Sequence, residues 1–313
     1  MRFLITLFIL LISYTELSRA QCGASPTFDA SNLPASFDSR QKWSDCFSPV
    51  RDQGQKCSSC WAMTATGVLA DRLCVASGGK VKKVLSPQEL IDCDRNGNLG
   101  CGGGRLDTPL AYFRDNGVVT EKCESYKATQ ASSCSNTCDD GTSFSNTTKY
   151  HSKDCYRLSS IEQAKADIYL NGPIIAVFDL YTDIYNYKSG VYIKSDSATY
   201  KETHAGRVIG WGVEDGVQYW LAANSWGTGW GQQGLFKIRS GTNEVGFEAN
   251  FFSTTADFDA VPSSEYGGSW VSVDDGNVDD LSAGIPLSIP IIKISVGVIL
   301  LLVFLSGKYA IVV

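Results

Sequence analysis

The chain has 313 residues, a net charge of -6, 43% hydrophobic residues and eleven cysteines. Between terminal segments that length leaves one unit of about 220 residues, enough to bury a sizeable core as one domain or two lobes. The acidic balance argues against a nucleic-acid partner, which needs basic surface, and the composition gives no sign of bulk disorder.

Residues 1–20 read as a secretory signal peptide: Arg2 supplies the positive start, Phe3 to Ile12 the apolar stretch, and Ser18-Arg19-Ala20 a small-residue cleavage site. An uncleaved anchor is the alternative. Either one sends the chain into an oxidising compartment, where disulfides persist. The odd cysteine count leaves at least one thiol without an intramolecular partner.

Residues 21–33 form a short polar segment, and residues 34–255 carry the regular elements. The first convincing helix runs from about Ser59 to Ala76, with Trp61, Met63, Val68, Leu69 and Leu73 near helical spacing and Gly78-Gly79 ending it. A second opens at Ser86-Pro87-Gln88-Glu89, where Ser86 caps, Pro87 takes the first helical position and Glu89 completes a capping box. A third covers Leu110 to Asn116. Residues 118–158 are loop-rich and hold one glycosylation sequon, Asn146-Thr147-Thr148. A further helix is predicted over Ile161 to Leu170, capped from Ser159 or Ser160 and stopped by Asn171-Gly172-Pro173. Strands are predicted over Ile174–Phe178, Arg207–Val213, Val217–Ala223 and Leu235–Ile238. Helices first and strands later predict an α+β protein with two lobes.

Residues 256–284 turn acidic and Gly/Ser-rich, with Asp274, Asp275, Asp279 and Asp280, and read as a linker. Residues 285–313 are mostly apolar. They are expected to be a transmembrane helix if Lys293 and Lys308 lie near the interfaces. The rival is a glycolipid-anchor signal with Ser282-Ala283-Gly284 as its small residues.

Chemistry concentrates at Cys60. A catalytic thiol must ionise, and a helix N-terminus and a neighbouring imidazolium both favour the thiolate. Cys60 stands where the first helix begins. Of the two histidines, His151 sits in a polar loop and reads as a solvated surface residue. His204 lies 144 residues after Cys60 and is predicted to precede a strand. Asn224, in Asn224-Ser225-Trp226-Gly227, is suited to orient the imidazole, with Trp226 shielding the bond from water. A metal reading of Cys57-x-x-Cys60 is poor, because the histidine supply is small and the compartment oxidises thiols. No cofactor is expected.

These residues come with a longer series of motifs: Leu33 to Arg40, Val50-Arg51-Asp52-Gln53-Gly54, Cys57 to Ala62, Leu85 to Cys93, Gly100 to Gly104, Asn171 to Ile174, Tyr187 to Tyr192, His204 to Gly212, Tyr219 to Gly227, and Trp230-Gly231 with Gly234. In this order and spacing the chain, over roughly Leu33 to Phe252, resembles the papain family of cysteine proteases and, within it, the cathepsin B-like branch. The resemblance implies a helical lobe and a β-barrel-like lobe with the active-site cleft between them. It implies an endopeptidase in which Cys60 attacks the peptide carbonyl, His204 protonates the leaving amine, Asn224 orients His204, and the Cys60 amide and Gln53 side chain hold the oxyanion. Gly103, Gly104, Thr203, Ala205, Trp226 and Asn250 are the expected substrate-binding residues. It also implies the disulfides Cys46–Cys74, Cys57–Cys101, Cys93–Cys134 and Cys123–Cys138, leaving Cys22, Cys60 and Cys155, of which Cys22 and Cys155 could pair.

The chain departs from that pattern in several places. Ser58 replaces the usual Gly. An extra residue in Gln55-Lys56 puts Gln53 seven positions before the nucleophile, and Gln55 competes for its role. Thr203 replaces a Gly and should crowd the cleft. Asn250 replaces an acidic residue at the floor of the main specificity pocket, which should weaken a preference for Arg. Residues 104–150 hold no histidine and no room for an occluding loop, so endopeptidase rather than dipeptidyl-carboxypeptidase activity is expected. Only Gln21 to Asn32 precedes the mature-like start, too little for an inhibitory propeptide of the family's kind. Expected partners are protein or peptide substrates, protein inhibitors of cysteine proteases and, through the C-terminal segment, a membrane. The expected state is a monomer, in a lysosome or digestive vacuole or at the cell surface. The alternative from another class is a catalytically dead papain-like module used for adhesion or binding, and ligation by the same acyl-enzyme is a third reading.

Overall fold

The computed structural model describes residues 22–270. The expected signal peptide, the distal part of the acidic linker and the apolar C-terminal run lie outside them. In chain order the regular elements are β1 (Gly23–Ala24), β2 (Phe37–Asp38), α1 (Ser39–Lys42), α2 (Cys60–Ala76), α3 (Pro87–Cys93), α4 (Asp107–Asp115), β3 (Tyr156–Arg157), α5 (Ile161–Asn171), β4 (Ile174–Tyr181), β5 (Val191–Tyr192), β6 (Tyr200–Glu214), β7 (Val217–Ala223), β8 (Leu235–Arg239) and β9 (Phe251–Ser253). Among the described residues no helix is long and apolar enough to cross a membrane.

Local chemistry accounts for most helix ends. The Ser86 hydroxyl accepts the Glu89 amide, with Pro87 in the first turn of α3. The Ser160 hydroxyl accepts the Gln163 amide at the start of α5, and Gly172 ends that helix at φ +105°. One expectation fails in part. Glu89 does not close a capping box, because its carboxylate instead accepts the Val119 amide at 2.7 Å, the Tyr112 hydroxyl at 3.0 Å and Lys149 at 2.5 Å. The Ser86 amide donates to the Val119 carbonyl. Helix α4 starts at Asp107, ahead of the apolar periodicity that signalled it.

The lobes are as expected, with one correction. The nine strands form one sheet in the order β1-β3-β9-β4-β6-β7-β8-β5, with β2 on β6. That sheet is open rather than barrel-like, since its two ends, β1 and β5, do not pair. Strand β6 is also longer than predicted. Its polar first half pairs with β4 through Phe178↔His204, Asp179↔Thr203 and Leu180↔Glu202, so His204 lies inside a strand rather than before one.

Each lobe has its own core. Trp61, Leu69, Leu73, Leu90 and Phe113 fill the helical lobe, and Ile174, Phe178, Trp220, Phe236 and Phe247 fill the sheet lobe. Helix α2 crosses between them. Its Asp71 and Arg72 are both buried and both reach across, Asp71 to Arg207 on β6 and Arg72 to Asp167 on α5. Five disulfides close the described chain: the four expected pairs and Cys22–Cys155, which ties β1 to the sheet edge.

The helical lobe contains one uncomfortable acid. Glu124 is buried, and its Oε2 has no hydrogen-bond partner. Burial, and then the charges of Glu89 and Asp92, push its pKa up to about 7. A carboxyl whose folded pKa lies above its unfolded value stabilises below the unfolded value, and that stability is lost as pH rises through the folded one. Glu124→Gln is therefore expected to match the native protein in thermal midpoint below pH 4.5 and to exceed it above pH 7. The gain should be about 2–4 °C, the shift for roughly 1 kcal/mol in a domain of this size. An equal difference at both pH values would count against this reading.

Candidate active site

Cys60 is the first residue of α2, completely buried, and the only free cysteine among the described residues. Its neighbour Cys57 is bonded to Cys101, so the Cys57-x-x-Cys60 pair is not a chelating one. That disulfide, with Ser58 N–H donating to the Cys101 carbonyl at 3.0 Å, fixes the loop before the nucleophile against the Gly-rich turn. Trp61 Nε1–H donates to the Gly100 carbonyl at 3.1 Å. The same turn needs its glycines: Gly103 has φ +101°, and a Cβ on Gly104 would sit 2.6 Å from the Trp61 ring.

His204 meets this helix from β6. Its Nε2 lies 2.8 Å from Asn224 Oδ1, the atom that also accepts the Ser225 amide at 2.8 Å. An oxygen already accepting a backbone N–H must accept from His204 as well. The imidazole proton is therefore on Nε2, leaving Nδ1 as the basic nitrogen. The Trp226 ring covers the imidazole at 5.1 Å, and the Phe178 ring meets it edge-on at 5.6 Å. Next along the strand, the Ala205 carbonyl accepts the Thr64 hydroxyl from the helix of Cys60 at 3.3 Å. Cys60, His204 and Asn224 thus come from the start of α2, from β6 and from just after β7.

The electrostatics of the two reactive groups share one cause. Burial pushes the Cys60 thiol up to about 12. The Ala205, Trp61 and Cys60 backbone groups pull it down, and the Glu202 charge pushes it up further. Burial also pushes His204 down to about 4, against the favourable bond to Asn224. Each group alone resists charge in this closed site. Proton transfer from thiol to Nδ1 charges both at once, so each new charge has a partner.

Gln53 is buried beside them. Its amide donates to the Ser225 carbonyl at 2.8 Å, its Oε1 accepts the Ser225 hydroxyl at 2.6 Å, and its Nε2 is turned toward the Cys57 carbonyl at 3.5 Å. The extra residue bulges outward: Gln55 and Lys56 are exposed, after a turn at Gly54 with φ +64°. Gln55 is thus on the surface, while Gln53 is buried with its Nε2 toward the Cys57 carbonyl.

The expected substrate-binding residues lie around this centre. Ala205 pairs with Val177, whose amide donates to the Asn250 carbonyl at 3.1 Å. Thr203 is buried and faces Asp179, its hydroxyl 3.4 Å from Asp179 Oδ1. Arg157, from the sheet edge, donates to Asn250 Oδ1 at 2.6 Å and lies over the Phe252 ring. Asn146 is exposed in a 3-10 turn, separate from these residues.

The sequence assigns no role to Ser225, Tyr185 or Glu202. Ser225 clamps Gln53 and braces Asn224. Tyr185 stacks on Trp226 at 5.2 Å with the planes 12° apart, and its hydroxyl donates to Glu202 at 3.1 Å. Glu202 could have been found by strand alternation, being two residues before His204, had β6 been traced to its start.

The description Papain family cysteine protease matches residues 33–255. A gut-specific cysteine proteinase of Caenorhabditis elegans is 38% identical over 244 residues, covering 70% of this chain and 72% of that protein. A cathepsin B-like cysteine proteinase of Schistosoma japonicum is 36% identical over 259 residues, covering 72% and 75%. Among solved structures, procathepsin B S9 of Trypanosoma congolense superposes with a TM-score of 0.70 at 32% identity, covering 77% of this chain and 84% of that one. These similarities give the non-catalytic alternative no support.

Proposed function

The chain belongs to the papain family of cysteine proteases and is a cysteine peptidase; from that premise we propose that Cys60, His204, Asn224 and Gln53 carry its reaction. The observation that carries the proposal is the single acceptor Asn224 Oδ1, shared by His204 and Ser225, which leaves Nδ1 basic on the strand that packs against the helix of Cys60 through Thr64 and Ala205.

The Cys60 thiol gives its proton to His204 Nδ1 as the sulfur bonds to the peptide carbonyl carbon. The carbonyl oxygen becomes an oxyanion, held by the Cys60 amide at the start of α2 and by Gln53 Nε2. His204 returns the proton to the leaving amine as the C–N bond breaks, giving a thioester. Water, deprotonated by the same nitrogen, hydrolyses it. An epoxide-type thiol-protease inhibitor should label Cys60 in the folded protein and abolish peptide hydrolysis. Absence of label on folded protein would sink the assignment.

Substrate choice follows from the residues around the thiol. Gly103 and Gly104 offer extended backbone to the acyl half of the peptide, Thr203, Ala205 and Asn250 line its surroundings, and Trp226, over the imidazole, lines the leaving-amine side. Asn250 Oδ1 is already engaged by Arg157, so a cation occupies the place where an arginine side chain would seek an acceptor. A Phe-Arg reporter should be hydrolysed at least about tenfold faster than an Arg-Arg reporter, since a desolvated like-charge contact costs on the order of 1–2 kcal/mol. A clear Arg-Arg preference would contradict this. The product pattern should be internal cleavage rather than dipeptides released from the C-terminus.

The wider assignment joins a leader (residues 1–20), a short segment (21–33), the peptidase domain (34–255), an acidic linker (256–284) and a C-terminal membrane helix or anchor signal (285–313). With the disulfides, these support the reading of a secretory-pathway enzyme, tethered with its catalytic domain on the lumenal or outer side. The Asn146 sequon lies on an exposed turn, suited to a glycan. Fractionation of the full chain against one lacking residues 285–313 tests the tether.

A further inference from the structure

Two residues before His204, strand β6 carries an acid. Alternation along β6 puts Glu202 and His204 on one face of the strand, opposite Leu180 and Phe178 of β4. Glu202 is partly exposed. Among the described residues no lysine, arginine or histidine forms an ion pair with it. Its Oε1 accepts the Tyr185 hydroxyl at 3.1 Å, and the Tyr185 ring, 41% exposed, lies flat on Trp226, which covers the imidazole. Glu202 is thus held by a chain of rigid contacts that ends on His204.

Chemistry fixes which half of a substrate passes here. His204 delivers its proton to the leaving amine, so the amine lies on the imidazole's side of the acyl carbon. The groups flanking the ring line the path of the residue that carries that amine. The acyl half lies on the opposite face of β6, where Ala205 pairs with Val177 and Asn250 bonds to Val177. We propose that Glu202, positioned by Tyr185, is a specificity-determining residue that selects a lysine or arginine as the first residue after the scissile bond. This rests on the reading of His204 as donor to the leaving amine.

A half-exposed ion pair of this kind has a modest effect, and salt screens it. The test uses two sets of peptides that share one acyl half and differ only in the first residue after the scissile bond, Lys or Arg against Gln or Leu. All preparations are normalised by titration with the epoxide inhibitor. The native enzyme should prefer the cationic set about threefold to fivefold in kcat/KM at low ionic strength, less at high salt. In Glu202→Gln, which keeps an acceptor for Tyr185, that ratio should fall to about one. In Glu202→Lys it should invert in favour of Glu or Asp. Ratios that are the same in the native enzyme and both variants overturn the proposal. An aryl-amide reporter, which has no residue in this position, separates the two levels. Its hydrolysis without charge discrimination among the peptides overturns the inference alone. Failure to hydrolyse it overturns the reading of the catalytic residues, and the inference with it.

Discussion

His204→Ala is expected to lower kcat/KM on a peptide reporter by about four orders of magnitude, the upper range for removal of a general acid–base. The geometry says why the loss is so large. The thiol is held up at about 12 by burial, and no other described group is placed to take its proton. Asn224→Ala should lose less, about a hundredfold, because the imidazole remains but its tautomer and orientation are no longer set by Oδ1. A His204→Ala enzyme retaining more than about one part in a hundred of native activity would mean that the base lies elsewhere. A stability readout separates catalysis from folding. His204 is held down at about 4 from an ordinary value of 6.5, so the unfolded chain binds a proton there that the folded chain refuses. Its contribution is fully present above pH 6.5 and is lost as pH falls toward 4. The variant should lack that part of the acid slope in thermal midpoint, while native protein shows it.

How much of this was legible in the sequence depends on the range of the interaction. The Ser86 cap needs only the next three residues and is legible in the sequence, whereas the sequence offers Ser159 or Ser160 for α5 and the structure uses Ser160. Helix α2 could be drawn because its apolar positions repeat locally. Glu89 misled because its local pattern was a capping box, whereas tertiary partners, Val119 and Lys149, captured the carboxylate. The first half of β6 was missed because Tyr200, Lys201, Glu202 and Thr203 are polar. They are strand only because β4 pairs with them. Strands β1, β3 and β9 have two or three residues each, too short to show a period, and the sheet partner alone defines them. At the site, spacing and motif pointed to Cys60, His204 and Asn224. The sequence favours Gln53 over Gln55, and what it does not show is which way a one-residue bulge faces. The Arg157–Asn250 bond joins residues 93 apart and left no trace in either neighbourhood.

Arg207→Met should destabilise the folded protein by about 3–5 kcal/mol, the cost of leaving one partner of a buried ion pair alone. Arg207 stands three residues after His204 on the same strand. Its Nη1 donates to Asp71 Oδ2 at 2.9 Å and to the Ser48 hydroxyl, and its Nη2 donates to the Ser48 carbonyl at 2.9 Å. Asp71 is fully buried three turns along the helix that begins at Cys60, and burial already holds it up at about 6 against the pull of Arg207. Methionine fills similar space but supplies no donor, so Asp71 must take up a proton or unfold its surroundings. A cavity of about 30 Å³, lined by Arg207, Ser48, Thr64, Asn224 and Ser225, has room for about one water beside the arginine, too little to solvate a carboxylate fully. Because Asp71 should then be neutral in the folded variant, the deficit should grow as pH rises above about 6 and shrink below it. The double variant Asp71→Leu with Arg207→Met removes both charges and should recover most of the stability. Urea unfolding of native, single and double variants at two pH values measures all of this. A double variant as unstable as the single would show that the arginine acts by packing against Phe47 rather than by charge. If the pair also sets the register between the helix of Cys60 and the strand of His204, the stable double variant should still lose kcat while KM stays near native. Unchanged kcat would confine the pair to stability.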